Sequence, residues 1–208
     1  MTTERIVAIL RGITPQECVE QVACLRDHGI TTVEITTNSP DWAISLQRVR
    51  SAFGDSVQSG AGTVLTPAHV DTCAAAGATF ILTPNLDPRV VDAAQRRGLR
   101  VCAGVFTASE IFTACELGVD VLKIFPAAAL PPDFPQLIKG PLSAPALFSA
   151  VGGVNSGNAA VYLRHYDSVG IGSSLYRPGQ HVSVTAARCA ALLNDGEGFP
   201  ADFAGGRD

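Results

Sequence analysis

A chain of 208 residues, 47% apolar and 16% charged, is long enough for one large domain or two small ones and apolar enough to bury a sizeable core. Its net charge of −4, with no basic cluster beyond Arg96-Arg97, argues against a nucleic-acid partner and against an anionic membrane surface. No apolar run approaches the ~18 residues of a membrane span, and Met1-Thr2-Thr3-Glu4-Arg5 lacks a signal peptide's apolar core, so no membrane association is expected.

One unit recurs along the chain: a short apolar run, a loop, a helix-start signal, an amphipathic helix and usually a glycine. The first strand is read at Ile6 to Leu10. Thr14-Pro15-Gln16-Glu17 then combines a capping threonine, an early proline and a box-closing glutamate, for a helix ending at Gly29. Thr32 to Thr36 is the second strand; Ser39-Pro40 is read as opening a helix that closes at Gly54. Strand three is Val57 to Ala61, and Thr66-Pro67 starts a helix ending at Gly77. Strand four is Thr79 to Leu82, and Asp87-Pro88 starts a helix ending at Gly98. Strand five is Leu99 to Ala103; Thr107 to Glu110 forms another capping box, for a helix ending at Gly118. Strand six is Val119 to Ile124. A proline-rich stretch, 126–135, leads to a short helix at Gln136 to Lys139. Ala146 to Val151 is strand seven, Asn155 to Tyr166 a helix, Ser168 to Ile171 strand eight and Val182 to Leu193 the last helix. From about residue 195 the tail reads as frayed.

Strands apolar on both faces, alternating with helices, are what parallel strands covered by helices require. Eight such units predict an α/β fold of (β/α)8 barrel type, as one domain over residues 1–208, with an open doubly wound sheet as the alternative. The six cysteines, Cys18, Cys24, Cys73, Cys102, Cys115 and Cys189, form no Cys-x-x-Cys pair and no zinc-ligand spacing with histidine. They read as buried free thiols of a reducing cytoplasm.

In a barrel of this kind the chemistry sits at the C-terminal ends of the strands. Lys123 lies inside an apolar strand, and lysine is rarely buried unless paired or used. The chain has two lysines, Lys123 and Lys139, against 13 arginines. Lysine can form a Schiff base once burial lowers its pKa, although a lysine snorkelling from a strand end fits this stretch equally well. Glu34, between Val33 and Ile35, is costly to bury unless paired or catalytic, and burial would raise its pKa toward the range of a general acid/base. Arg11-Gly12 ends strand one and offers either a surface arginine or a two-pronged carboxylate ligand. Gly60-Ala61-Gly62-Thr63 offers small residues and a hydroxyl, and Thr83-Pro84-Asn85 reads as a turn. Gly152-Gly153-Val154-Asn155 and Gly170-Ile171-Gly172-Ser173 follow strands seven and eight, where such barrels hold phosphate, unless they are ordinary turn glycines. A lysine nucleophile, a carboxylate and an anion cradle at one rim point to Schiff-base chemistry on a phosphorylated carbonyl compound.

In order and combination these motifs resemble the aldolases of 2-keto-3-deoxy-6-phospho sugar acids, over about Ile6 to Gln180. The segments that carry the likeness include Ala8-Ile9-Leu10-Arg11-Gly12-Ile13, Val33-Glu34-Ile35, Leu122-Lys123-Ile124-Phe125-Pro126 and Val151-Gly152-Gly153-Val154. The resemblance implies Lys123 as the Schiff-base nucleophile and Glu34 as the proton shuttle, with no metal or other cofactor. It implies Arg11 and Thr63 on the substrate carboxylate, Pro84 and Phe125 as pocket walls, and Gly152, Gly153, Gly172 and Ser173 on the phosphate. Asn38 and Val151 match the 6-phosphogalactonate type, whereas the 6-phosphogluconate type carries arginine and threonine at those places. Thr36-Thr37 departs from the Pro-Leu of the galactonate type. The implied products are pyruvate and glyceraldehyde 3-phosphate, and the implied assembly is a homotrimer. Two other readings are the gluconate-type enzyme, which also takes 4-hydroxy-2-oxoglutarate, and a phosphate-binding barrel without catalysis.

Overall fold

The strand–helix repeat closes on itself. The computed structural model describes residues 3–142 and 144–194; the tail expected to fray lies outside them. Its strands are β1 (Ile6–Leu10), β2 (Thr32–Thr36), β3 (Gln58–Gly62), β4 (Phe80–Leu82), β5 (Arg100–Val105), β6 (Val121–Ile124), β7 (Leu147–Val151) and β8 (Ser168–Ile171). The helices between them are α1 (Cys18–Asp27), α2 (Trp42–Phe53), α3 (Pro67–Ala75), α4 (Pro88–Arg96), α5 (Ala108–Glu116), α6 (Phe134–Lys139), α7 (Ser156–Tyr162) and α8 (Val182–Asn194). The strands form a closed barrel in chain order, each parallel to its neighbours, with β8 returning to β1 through Ile6↔Val169 and Ala8↔Ile171. The expected (β/α)8 barrel is therefore the fold, and the open sheet is excluded.

Successive residues of a strand face opposite ways. Ala8 and Leu10, Val33 and Ile35, Ala103 and Val105, Leu122 and Ile124, and Phe148 and Ala150 belong to one continuous buried cluster. That cluster includes Val22 and Leu25 of α1, Leu46 and Val49 of α2, and Ile111 and Ala114 of α5. Each large aliphatic side chain buried there contributes about 1.5–3 kcal/mol. The residues between them, Ile9, Glu34, Gly104, Lys123 and Ser149, therefore face the barrel interior. Strand register sets Glu34 level with Ile9 and Gly60, and Lys123 level with Gly104 and Ser149.

Side-chain caps start the helices where the sequence places them. Thr66 accepts from the His69 amide, Asp87 from the Arg89 amide, and Thr107 with Glu110 forms the reciprocal box. Two expected starts are corrected. At Thr14, Glu17 accepts from the Thr14 amide at 3.0 Å and from its hydroxyl at 3.1 Å, so only half of the box forms; a turn over 15–17 precedes the helix at Cys18. Ser39 does not cap α2, which begins at Trp42 behind Asp41 in a left-handed conformation (φ 45°). The Ser39 hydroxyl instead accepts from the Gly12 amide at 2.8 Å, a donor that the loop after β1 brings alongside it. Strand β5 runs two residues beyond Ala103, since Gly104 and Val105 pair with Lys123 and Ile124. Strand β6 begins later than Val119, and Asp120 turns its carboxylate onto the Val101 amide at 2.7 Å. Asp167 does the same for Phe148 at 2.8 Å, so one device pins the entry of two strands.

Candidate active site

Lys123 is 5% exposed and Glu34 is 2% exposed, both in the C-terminal half of the barrel interior. The Lys123 Nζ donates to the Thr83 carbonyl at 3.0 Å and stands 4.9 Å from the centroid of the Phe125 ring. A cation over an aromatic face is favoured, the more so when desolvated. Burial pushes the Glu34 carboxyl above its ordinary 4.5, while the charges of Lys123 and Arg11 pull partly the other way. Its Oε2 makes no hydrogen bond to the described residues, which adds to the cost of ionising it.

Glycines make the room. A Cβ at Gly62 would stand 1.5 Å from Glu34 Oε1, and one at Gly60 would lie 2.4 Å from the Phe80 ring. The Gly-Ala-Gly motif of β3 thus keeps space for the Glu34 side chain and its layer of the barrel. At the next position Thr63 takes a left-handed backbone (φ 57°), and the Thr37 hydroxyl holds its carbonyl at 2.6 Å. Arg11 then reaches across the rim, donating to Asn38 Oδ1 at 2.9 Å and to Thr63 Oγ1 at 3.4 Å. Four consecutive side chains, starting with the last residue of β2, are engaged in this way. Thr36 meets Ser39 at 3.0 Å, Thr37 holds Thr63, Asn38 accepts from Arg11 and Ser39 accepts from Gly12. The segment is a clamp on the loops after β1 and β3.

On the opposite side, Gly152 (φ 91°) and Gly153 (φ 85°) carry a left-handed turn, and the Gly152 carbonyl accepts from the Ala128 amide at 3.1 Å. A Cβ at Gly153 would lie 2.4 Å from Ala128 Cβ, so backbone and packing both require glycine there. Gly172 differs: its φ is ordinary, and a Cβ would meet nothing nearer than Ile9 at 3.9 Å. Its missing side chain leaves the cleft open. Ser173 follows on the exposed rim, and Arg177 donates to its carbonyl at 3.2 Å. Val151 is 4% exposed beside Gly170.

One cleft of about 630 Å³ takes in all twelve residues singled out from the sequence: Arg11, Glu34, Asn38, Thr63, Pro84, Lys123, Phe125, Val151, Gly152, Gly153, Gly172 and Ser173. Two smaller hollows, of about 500 and 510 Å³, lie on the outer surface against α2 and beside α5. Lys139 is exposed at the end of α6, its Nζ 5.2 Å from the ring of Phe148, which faces the helices. Sequence reading gave Ser39 a helix start, noted Thr37 only as a departure from the Pro-Leu of the galactonate type, and read Thr83 as part of a turn. It gave no role to Arg177 and named Asn155 only as part of the loop after strand seven; both line the cleft. A polar run of Thr-Thr-Asn-Ser closing a strand was the available signal for the clamp.

The family described as "KDPG and KHG aldolase" matches residues 1–187. The 2-dehydro-3-deoxy-6-phosphogalactonate aldolase of Escherichia coli (strain K12) is 43% identical over 189 residues, covering 90% of this chain and 92% of that protein. A solved structure described as "Native KDPGal structure" superposes with a TM-score of 0.87 at 42% identity, covering 91% of this chain and 93% of that one. A KDPG aldolase from Legionella pneumophila, with pyruvate captured as a covalent carbinolamine intermediate, superposes with a TM-score of 0.78 at 25% identity, covering 93% of each chain. Fold, cleft and likeness agree, and the chain belongs to the KDPG and KHG aldolase family, as a Schiff-base carbon–carbon lyase on a (β/α)8 barrel.

Proposed function

We propose that the chain cleaves 2-dehydro-3-deoxy-6-phosphogalactonate to pyruvate and D-glyceraldehyde 3-phosphate. Lys123 attacks the C2 ketone, and loss of water from the carbinolamine leaves an iminium. Glu34 takes the proton of the C4 hydroxyl as the C3–C4 bond breaks, and the iminium accepts the electron pair as an enamine. Protonation and hydrolysis of the enamine release pyruvate. Arg11 and Thr63 hold the carboxylate, Pro84 and Phe125 wall the reacting carbons, and Gly152, Gly153, Gly172 and Ser173 hold the phosphate. Asn38 and Val151 set the preference for the galactonate epimer. The observation that carries the reading is a buried lysine and a buried carboxyl inside one barrel mouth, with the charge of Lys123 acting on the Glu34 carboxyl. The carbinolamine captured on the Legionella relative and the galactonate name of the E. coli relative support the reaction and the substrate. The six free thiols suit a reducing cytoplasm, and the assembly we propose is a homotrimer.

Pyruvate plus borohydride, followed by intact mass and peptide mapping, tests the mechanism. Wild type should carry one reduced pyruvate adduct on Lys123, Lys123→Ala none, and Lys139 should stay unmodified. Equal masses for wild type and Lys123→Ala would sink the assignment. Cleavage rates on the two C4 epimers test the substrate, and a clear preference for the gluconate epimer would hand the chain to the gluconate-type reading.

A further inference from the structure

Thr83 sits at the end of β4, 1% exposed, with every polar group it owns near the reacting lysine engaged. Its hydroxyl donates to the Asn85 carbonyl at 2.6 Å and accepts from the Gly104 amide at 3.1 Å. Its own amide donates to the Cys102 carbonyl at 3.1 Å. Gly104 is the residue level with Lys123 on the adjoining strand. A Cβ there would come within 2.3 Å of the Pro84 carbonyl carbon, so the loop after β4 lies directly on β5. The side chain of Thr83 thus ties that loop to the strand beside Lys123, and the group presented to Lys123 Nζ, at 3.0 Å, is the Thr83 main-chain carbonyl.

We propose that the Thr83 carbonyl is the acceptor for the lysine nitrogen throughout the Schiff-base cycle, held in place by its own hydroxyl. This rests on Lys123 being the nucleophile. In the free amine, one N–H bound to the carbonyl leaves the lone pair free for the ketone. Attack forms the C–N bond while the C=O π pair moves to oxygen; one proton from the nitrogen and one from the Glu34 carboxyl turn that oxygen into water, whose departure leaves a protonated C=N with a single N–H. Among the described residues, the acceptor within hydrogen-bond distance of that nitrogen is the same carbonyl. A hydrogen bond from a charged donor is roughly twice as strong as a neutral one, so the carbonyl favours the iminium over the ketone-plus-amine state. It also fixes the rotation about the Lys123 Cε–Nζ bond, and with it which face of C3 meets the acid/base. Thr83 is a positioning residue, acting through its backbone.

Thr83→Val keeps the shape of the side chain and removes both hydroxyl bonds; Thr83→Ser keeps the bonds and loses the methyl. The readouts are the fraction of Lys123 trapped at sub-saturating pyruvate as a function of pH, and kcat and KM for cleavage. Thr83→Val should need about tenfold more pyruvate for half-trapping, with its trapping-against-pH curve displaced to lower pH, since the carbonyl that favours the charged nitrogen is no longer held on it. Thr83→Ser should restore both. An unchanged pyruvate requirement and pH curve in Thr83→Val would overturn the proposal, and so would equal losses in the serine and valine variants, which would assign the effect to packing of the methyl. Absence of any adduct in wild type would instead remove the Lys123 mechanism itself, so the two failures are distinguishable.

Discussion

Glu34 shows what burial does to a single group. Inside the barrel its carboxyl is pushed above the ordinary 4.5 even though Lys123 and Arg11 pull against the shift. With Glu34 in its proposed role, the acid limb of kcat/KM should therefore lie above 4.5, because a base that takes the C4 proton must first lose its own. Glu34→Gln should abolish that limb, still allow imine trapping, and turn over ~10²–10⁴-fold more slowly; near-wild-type turnover would remove Glu34 from the role. The same shift acts on stability with a definite sign. A carboxyl raised in the folded state stabilises the fold fully below its unfolded value of ~4.3 and loses that contribution as pH climbs through the folded value. Urea titrations should thus show wild type losing stability relative to Glu34→Gln as pH rises from that range. Val151, apolar and 4% exposed where the gluconate type carries threonine, belongs to the same scale. Val151→Thr should raise the gluconate-to-galactonate ratio of cleavage rates by supplying a hydroxyl donor, and an unchanged ratio would deny Val151 a part in selection.

Elements explain why two similar-looking hydroxyls do different work. Thr66 caps α3 through the His69 amide, so Thr66→Ala should cost about 1 kcal/mol in urea unfolding and leave KM alone. Ser39 looks like the same signal in sequence, followed as it is by proline, yet its oxygen serves Gly12 on another loop. Ser39→Ala should loosen the Arg11 loop and raise KM for the keto acid, with little loss of α2. A stability loss equal to that of Thr66→Ala with KM unchanged would restore the capping reading. Helix starts at 66, 87 and 107 were legible because a cap needs only residues within three positions of itself. The clamp over 36–39 was not, because its partners Arg11, Gly12 and Thr63 come from loops that only barrel closure brings alongside.

For the whole molecule, closure is the event that creates the site. Arg5, just before β1, donates to the carbonyls of Leu163, Tyr166 and Asp167 at the end of α7, joining the first strand to the last turn before β8. Arg5→Met should lower the unfolding free energy by about 2–3 kcal/mol, the scale of hydrogen bonds made by a charged group, without moving KM. Urea unfolding and steady-state kinetics check it; a KM effect without a stability effect would place the role of Arg5 elsewhere.

Sequence alone determined the repeat of eight strand–helix units and singled out the two groups proposed for the chemistry. Lys123 and Glu34 each stand between apolar neighbours that face the helices, so alternation had to turn them inward, and their charge made them conspicuous. It also placed glycines after β7 and β8. Tertiary structure decided what those side chains meet. Only the closed barrel sets Gly62 against Glu34, Gly104 beside Lys123 and the Thr83 carbonyl on the lysine nitrogen. The reason is physical: strand alternation is a local property with a period of two, whereas the partner of an inward group lies on another strand. A backbone carbonyl, present in every residue, leaves no mark in the side-chain pattern from which its use could be read.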